Sequence, residues 1–345
     1  MSKDDLLKPG NSGRQEWLDA IKGLAIILVI LSHTRGLPYV HVYMTNCYMQ
    51  LFFIASGYVY AKSSGSITKI AKKLLYPYIC WCIFYLTINV YNNSDMLVTW
   101  ITGIIYSRYR FFAQPTEDTV TLFPPGAMPM WFLTCMALSY IAFIPLVKSK
   151  GKTLLSLILL YLVISSVFSF CPVLLPWSLD TAFLGALMLY TGYRLKGIKP
   201  NKLQSLAALL ICGIIYIFLV DFNGFINMSI RRYGEWPVIS VILFLIIGLL
   251  GTICYSCFFI LTENSILCRF FAYFGRLSLT IMCSHMLCVA LYNWIYSDLV
   301  PNLKRIPSAV MYFPRLFFIL LMCVMIHYLL VYTKRAFRKI RGYAS

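Results

Sequence analysis

Ten apolar stretches, each close to the length that crosses a bilayer, succeed one another along the 345 residues, at about 17–35, 42–61, 74–93, 129–147, 152–171, 176–195, 203–220, 236–262, 270–296 and 311–333. An α-helix rises about 1.5 Å per residue, so roughly 20 residues traverse a hydrocarbon core of about 30 Å. The chain therefore reads as all-α, a polytopic transmembrane bundle of about ten helices. An even number of crossings puts both termini on one side. Composition points the same way, with 60% of residues hydrophobic and only 12% charged, where soluble domains carry about a quarter. A soluble globular fold is excluded, as are a membrane barrel, whose strands alternate apolar and polar side chains, and a disordered chain. The apolar run at 96–106 is too short to cross and is expected to lie along the interface or re-enter.

Charge placement sets the orientation. Lys and Arg number 30 against 12 Asp and Glu, a net of +18. With the N-terminus cytoplasmic, 21 of the positive charges fall in inner segments and eight in outer ones, the bias expected of short cytoplasmic loops. Such loops meet anionic headgroups, so membrane lipid is the expected partner and nucleic acid is not. The opening MSKDDLLKPGNSGRQE has no apolar core and is not a cleavable signal peptide, which leaves the first span as the insertion signal. One integral-membrane domain, 1–345, with cytoplasmic tails at 1–13 and 334–345, is expected to hold the whole function. Most of the 12 cysteines lie in apolar segments, where a thiol acts as a small hydrophobe. Cys254 and Cys257 have CxxC spacing but purely apolar flanks, so neither a disulfide framework nor a metal site is expected.

Ionisable side chains inside a bilayer are costly and ask for a partner, a cavity or a function. The first span, WLDAIKGLAIILVILSHT, holds Asp19 and Lys22 near its cytoplasmic start and His33 near its outer end. The spacing of Lys22 and His33 offsets them by about 20° after three turns, so both project from one face, about 16 Å apart along the axis. Asp19 precedes Lys22 by one turn, the spacing of an ion pair. His285 lies at matching depth in the ninth span, FFAYFGRLSLTIMCSHMLCVALYNWIY, and two histidines at one depth point to one site. Ser278 shares the face of His285, whereas Arg276 points the other way. Each residue also has a bland reading: Lys22 snorkelling to the interface, His33 bridging two helices, Ser278 packing, Lys72 and Lys73 marking topology. His41 and His327 read as packing or interface residues, and Trp131 as an interfacial aromatic.

Taken in order, RQEWLDAIKGLAIILVILSH with Arg14, Trp17, Asp19, Lys22, Gly23 and His33, then FFIASGY, KKLLYP, MWFL and FGRLSLTIMCSH, resemble acyltransferase family 3. These membrane-bound O-acyltransferases include enzymes that acetylate lipopolysaccharide O-antigen and other surface glycans. The family's basic residue, ten intervening positions and histidine fall here on Lys22 and His33. The likeness covers about residues 14–335. It implies ten membrane helices, the bacterial cytoplasmic (inner) membrane, and movement of an acyl group, acetyl from cytosolic acetyl-CoA, to a hydroxyl of a glycan or lipid-linked glycan. Acetyl-CoA is a co-substrate in this reading, and no tightly bound cofactor is implied. Many relatives carry arginine at the position of Lys22, and lysine offers a point charge without the bidentate fork.

The resemblance also distributes roles. His33 and His285 are the catalytic pair, His33 acting as general base or through an acyl-histidine intermediate, with His285 orienting it or sharing its proton. Arg14, Lys72 and Lys73 engage the donor's phosphates, and Asp19 and Lys22 lie along its channel. Tyr106, Arg108, Tyr109 and Arg110 in the long outer loop, beside Phe111 and Phe112, offer rings and guanidiniums to the acceptor, and an interfacial aromatic belt is an equal account of that loop. The competing class is a transporter or flippase of a lipid-linked sugar. A transporter should show paired broken helices in related halves, and no internal duplication is visible.

Overall fold

A computed structural model of the chain describes residues 15–34, 42–44, 46–60, 67–91, 93–114, 116–117, 119–236, 238–296 and 310–343. The fold is 80% helical, and the described residues form eleven α-helices and no strand. In chain order these are α1 (Glu16–Ser32), α2 (Tyr48–Tyr58), α3 (Ile67–Val90), α4 (Leu97–Tyr106), α5 (Trp131–Lys148) and α6 (Gly151–Phe170). There follow α7 (Leu179–Arg194), α8 (Lys202–Asn223), α9 (Ile239–Leu261), α10 (Ile266–Trp294) and α11 (Tyr312–Tyr343).

Seven of them, α3, α5, α6, α8, α9, α10 and α11, are long and apolar enough to cross a membrane. The other three expected spans are shorter helices, α1 of 17 residues, α2 of 11 and α7 of 16. Helix is lost at their ends to local backbone. The segment before α7 turns through Trp177 and Ser178, both at positive φ (55° and 60°), and α2 opens only after the non-helical Cys47. The short helix α4 ends the same way, at Ser107 with φ 56°. At the other extreme, α11 runs on through the basic stretch to Tyr343. That stretch holds good helix formers and reaches no glycine before Gly342.

Burial sorts the helices into two layers. The apolar windows of α3, α6, α8 and α11 are 17, 11, 17 and 17% buried, against 61% for α5 and 56% for α10. Beyond Asp19 and Lys22 α1 is apolar, and nearly every residue from Trp17 to Leu31 is buried, as a largely apolar helix requires. Trp131, expected at the interface, is buried as well. The inner layer is built on α1 against α10, α2 against α7, and α5 against α7. Links assigned to the same membrane side by the charge bias also meet in space. At the basic end Lys199 pairs with Glu263 at 2.9 Å and the Lys196 ammonium donates to the Tyr60 carbonyl at 2.9 Å. At the other end the Arg315 guanidinium donates to Asn293 Oδ1 at 3.1 Å.

Two glycines set the tightest contact in the bundle core. A Cβ on Gly23 would sit 1.8 Å from the Phe271 carbonyl oxygen, and one on Gly275 would sit 1.8 Å from that of Asp19. Backbone therefore lies on backbone where α1 crosses α10, the close approach that small residues permit between membrane helices. Gly23 faces Phe271 and Gly275 faces Asp19 and Gly23, so the two helices run in the same direction. Gly275→Ala is expected to force them apart and to cost about 1–3 kcal/mol, the usual penalty of overpacking. A lowered thermal midpoint of the detergent-solubilised protein checks this.

At the end opposite the basic loops, a buried ion cluster ties three connecting segments together. The Asp180 carboxylate, at the start of α7, pairs through one oxygen with Arg108 and stands 3.0 Å from Arg231 Nε through the other. All three side chains are essentially inaccessible. Arg108 also donates to the carbonyls of Leu175 (3.1 Å) and Ser229 (2.7 Å), and to Thr181 Oγ1 (3.2 Å). Arg231 donates to the carbonyls of Phe168, Cys171 (2.6 Å) and Val173 (2.9 Å). The Arg231 Nε contact is too oblique for a hydrogen bond and acts as charge alone.

Candidate active site

The α1–α10 crossing positions two features at different depths. Near the basic end a cavity of about 410 Å³ opens between α1, α2, α3, α5 and α10. Asp19 and Lys22 from α1, Lys73 from α3, and Arg276 and Ser278 from α10 line it, with Tyr140 on α5. Lys73 and Arg276 are exposed, Lys22 is half-buried and Asp19 is buried. Its walls become apolar with depth: Phe132, Leu133 and Met136 on α5, Phe52 on α2, and Met282 on α10. From Gly275 to Met282 the cavity follows α10 for about 10 Å of helix rise.

Beyond it stand the two histidines. His33 ends α1 and its ring lies 5.3 Å, centroid to centroid, from that of His285, the planes inclined at 37°. The glycine contact explains the match: His33 follows Gly23, and His285 follows Gly275, by the same ten positions on parallel helices. Equal rise from a common contact brings the rings to one level. His285 is fully buried. Its Nδ1 lies 3.0 Å from the Ile281 carbonyl oxygen and 2.9 Å from that of Met282. Carbonyls only accept, so this geometry assigns the hydrogen to Nδ1 and leaves Nε2 as the lone-pair nitrogen. That Nε2 is buried without a hydrogen-bond partner. Tyr85 on α3 donates its hydroxyl to the Cys283 carbonyl at 2.8 Å, anchoring the same turn of α10.

Measured against the sequence, the structure brings together His33 with His285 and, separately, Asp19 and Lys22 with Lys73. His33 is not among the residues that line the cavity of Lys22. The cavity that holds Lys22 reaches Met282, one helical turn short of His285. Lys72 is exposed and lies off the cavity wall. Arg14 and His41 lie outside the described residues. Arg276, expected to point away because it is offset from His285 on the wheel, lines the cavity. A cavity wide enough to touch Gly275, Arg276, Ser278 and Leu279 takes up more of the α10 circumference than one stripe.

The outer-loop residues are largely turned inward. Arg108 is not on an exposed face, because its guanidinium is consumed by Asp180 and neighbouring carbonyls. The Tyr106 hydroxyl donates to the Leu174 carbonyl at 2.7 Å. Arg110 is buried, donates to the Ala113 carbonyl at 2.6 Å and lies 5.0 Å over the Tyr109 ring. Burial raises the Tyr109 hydroxyl above its ordinary range. Only Phe111 and Phe112 of this run are well exposed. Sequence reasoning missed Asp180 altogether, although an acidic residue near the end of an apolar run is itself a signal. His327, read as a packing residue, has its Nδ1 3.0 Å from Thr280 Oγ1.

The profile of a family described as an acyltransferase domain matches residues 15–332. The chain belongs to acyltransferase family 3. No curated protein and no solved structure matches it. The family match runs from the first turn before α1 into α11 and so takes in both histidines and every residue of the cavity. Membership in acyltransferase family 3 makes the protein a multi-pass membrane acyltransferase.

Proposed function

We propose that this member of acyltransferase family 3 moves an acetyl group from acetyl-CoA, entering at the basic end, to a hydroxyl of a surface glycan or lipid-linked glycan on the other side, in the cytoplasmic membrane of a bacterium. The observation that carries the proposal is the alignment on one helix pair of a cation-lined cavity and, about one turn deeper, two histidines in ring contact.

The cavity residues suit the donor. Lys73 and Arg276 at the mouth, with Arg14 and Lys72 as further candidates, attract the diphosphate and phosphate groups of coenzyme A. Lys22, held near Asp19, lies farther in, where a single cation polarises a thioester or amide carbonyl of the pantetheine arm. The apolar deep walls admit a thin chain and exclude bulk water. Met282 stands between the cavity and His285, and an unbranched thioether side chain yields readily.

At the histidine pair the reaction is an acyl exchange. The lone pair on His285 Nε2 takes up a proton, either from the acceptor hydroxyl directly or from His33 as His33 receives the hydroxyl's proton. The acceptor oxygen attacks the thioester carbonyl carbon, the carbon–oxygen bond forms and the carbon–sulfur bond breaks. Coenzyme A leaves as thiolate and recovers the proton from the imidazolium. A proton is conserved overall, and two adjacent imidazoles keep it in place while the acyl group changes hands. Tyr109, Phe111 and Phe112 stay as candidate acceptor contacts, whereas Arg108 serves the scaffold.

Lys22→Ala is expected to lower kcat/KM for acetyl-CoA about 10- to 100-fold, the loss of one charge-assisted hydrogen bond, and Lys22→Arg to restore most of it. The function itself is tested by mass spectrometry of the surface glycan from cells with and without the protein. A base-labile acetyl ester present only with the protein supports the proposal, and an identical glycan from both refutes it.

A further inference from the structure

Away from the α1–α10 site, the basic end carries a second cavity of about 510 Å³, at the corner where α5 ends, α6 begins and α7 ends. Lys150, Arg194 and Lys196 stand around it with Tyr190, Tyr193 and Leu154, and no carboxylate lines it. Two of the three cations are oriented without being neutralised. Arg194 Nη1 donates to the Tyr190 hydroxyl at 3.2 Å and the Lys196 ammonium to the Tyr60 carbonyl at 2.9 Å, both uncharged acceptors. Among the described residues none of the three makes an ion pair, whereas their neighbour Lys199 is matched by Glu263 at 2.9 Å. A bias that only set topology would need these charges on this side of the membrane; it would not need them to converge on one hollow.

The backbone adds to the same field. α6 starts at Gly151, on the cavity wall, and its N-cap Lys150 supplies no side-chain acceptor to the first turn. The opening N–H groups of a 20-residue helix therefore reach the cavity rim uncapped. Only 11% of the apolar window of α6 is buried, which leaves an apolar face beside the hollow for acyl chains to cover. We infer that this cavity binds a phosphate group, and that its occupant is the headgroup of an anionic phospholipid of the leaflet at the basic end. Three converging cations, two of them held by uncharged acceptors, and an uncapped helix start match a phosphate, and the adjoining exposed helix face matches the two tails of the molecule that carries it.

The test uses the full-length protein purified in mild detergent, with native mass spectrometry counting retained lipid after addition of phosphatidylglycerol or phosphatidylcholine. Phosphatidylglycerol is expected to be retained over phosphatidylcholine, and K150Q/R194Q/K196Q to weaken that retention about tenfold or more, with K199Q unchanged. The single variants R194Q and K196Q, each expected to give part of the loss, carry the test if the triple variant does not purify as a monodisperse protein. A parallel titration with coenzyme A separates the sources of phosphate. If the triple variant loses coenzyme A binding but keeps phosphatidylglycerol, the phosphate is a soluble nucleotide's and the lipid assignment falls. If the variants bind both as the unaltered protein does, there is no phosphate site here. Neither readout depends on acyl transfer, so it stands or falls apart from the proposed activity.

Discussion

Replacing His285 with alanine is expected to reduce acyl transfer at least about a hundredfold while the protein stays folded and in the membrane. Positioned acid–base groups contribute roughly 10²- to 10⁴-fold, and His285 has the attributes of one: complete burial, an Nδ1 held by the Ile281 and Met282 carbonyls, and an Nε2 with no partner. Those two carbonyls lie within α10 and keep their backbone partners when the ring is removed, so little of the fold depends on it. His33→Ala should act at the same step. If the rings work as one unit, the double variant will be little worse than the poorer single variant, the non-additivity expected of residues in contact. Ester content of the glycan, normalised to protein abundance, gives the activities. Additive losses would separate the two histidines into independent roles.

Asp180→Asn should fail in a different way. Among the described residues its carboxylate is the only charge set against the guanidiniums of Arg108 and Arg231, in a site closed to solvent. Removing one partner of a buried ion cluster costs about 3–5 kcal/mol, because the remaining charge stays desolvated and unpaired. Here two charges would be stranded. The expected result is a protein that scarcely accumulates, with activity lost in proportion to abundance and not per molecule. Replacing all three residues with apolar ones should recover only part of that stability. The guanidiniums also hold the carbonyls of Leu175, Ser229, Phe168, Cys171 and Val173, and these would lose their donors. Immunoblotting of membranes and thermal unfolding in detergent distinguish this outcome from that of His285→Ala.

Much of this architecture is legible in the residues. Apolar runs reveal helices because the bilayer imposes their length, and charge bias reveals sidedness because translocation imposes it. His33 and His285 could be paired from depth alone, since each helix starts from the same side. What stayed hidden depends on contacts distant in sequence. Asp180 meets Arg108 and Arg231, 72 and 51 positions away, and no local pattern announces either pairing. Tyr106 to Arg110 look like an exposed aromatic and basic face because nothing in the sequence shows that the segment folds back on Leu174 and Asp180. A helical wheel referenced to His285 turns Arg276 away, whereas the cavity, not the histidine, decides which faces matter. Hydropathy finds α1, α2 and α7 but not their shortness, because turns such as Trp177–Ser178 break a helix without interrupting the apolar run.

The central claim is that an acyl group supplied at the Lys22 cavity is handed on at the histidine pair. The most direct measurement places the protein in sealed vesicles of known orientation, offers acetyl-labelled acetyl-CoA only to the basic face, and follows label into glycan enclosed on the other side. Label should appear with the unaltered protein and be lost at least about a hundredfold with His285→Ala present at equal abundance. Undiminished transfer by that variant would contradict the mechanism.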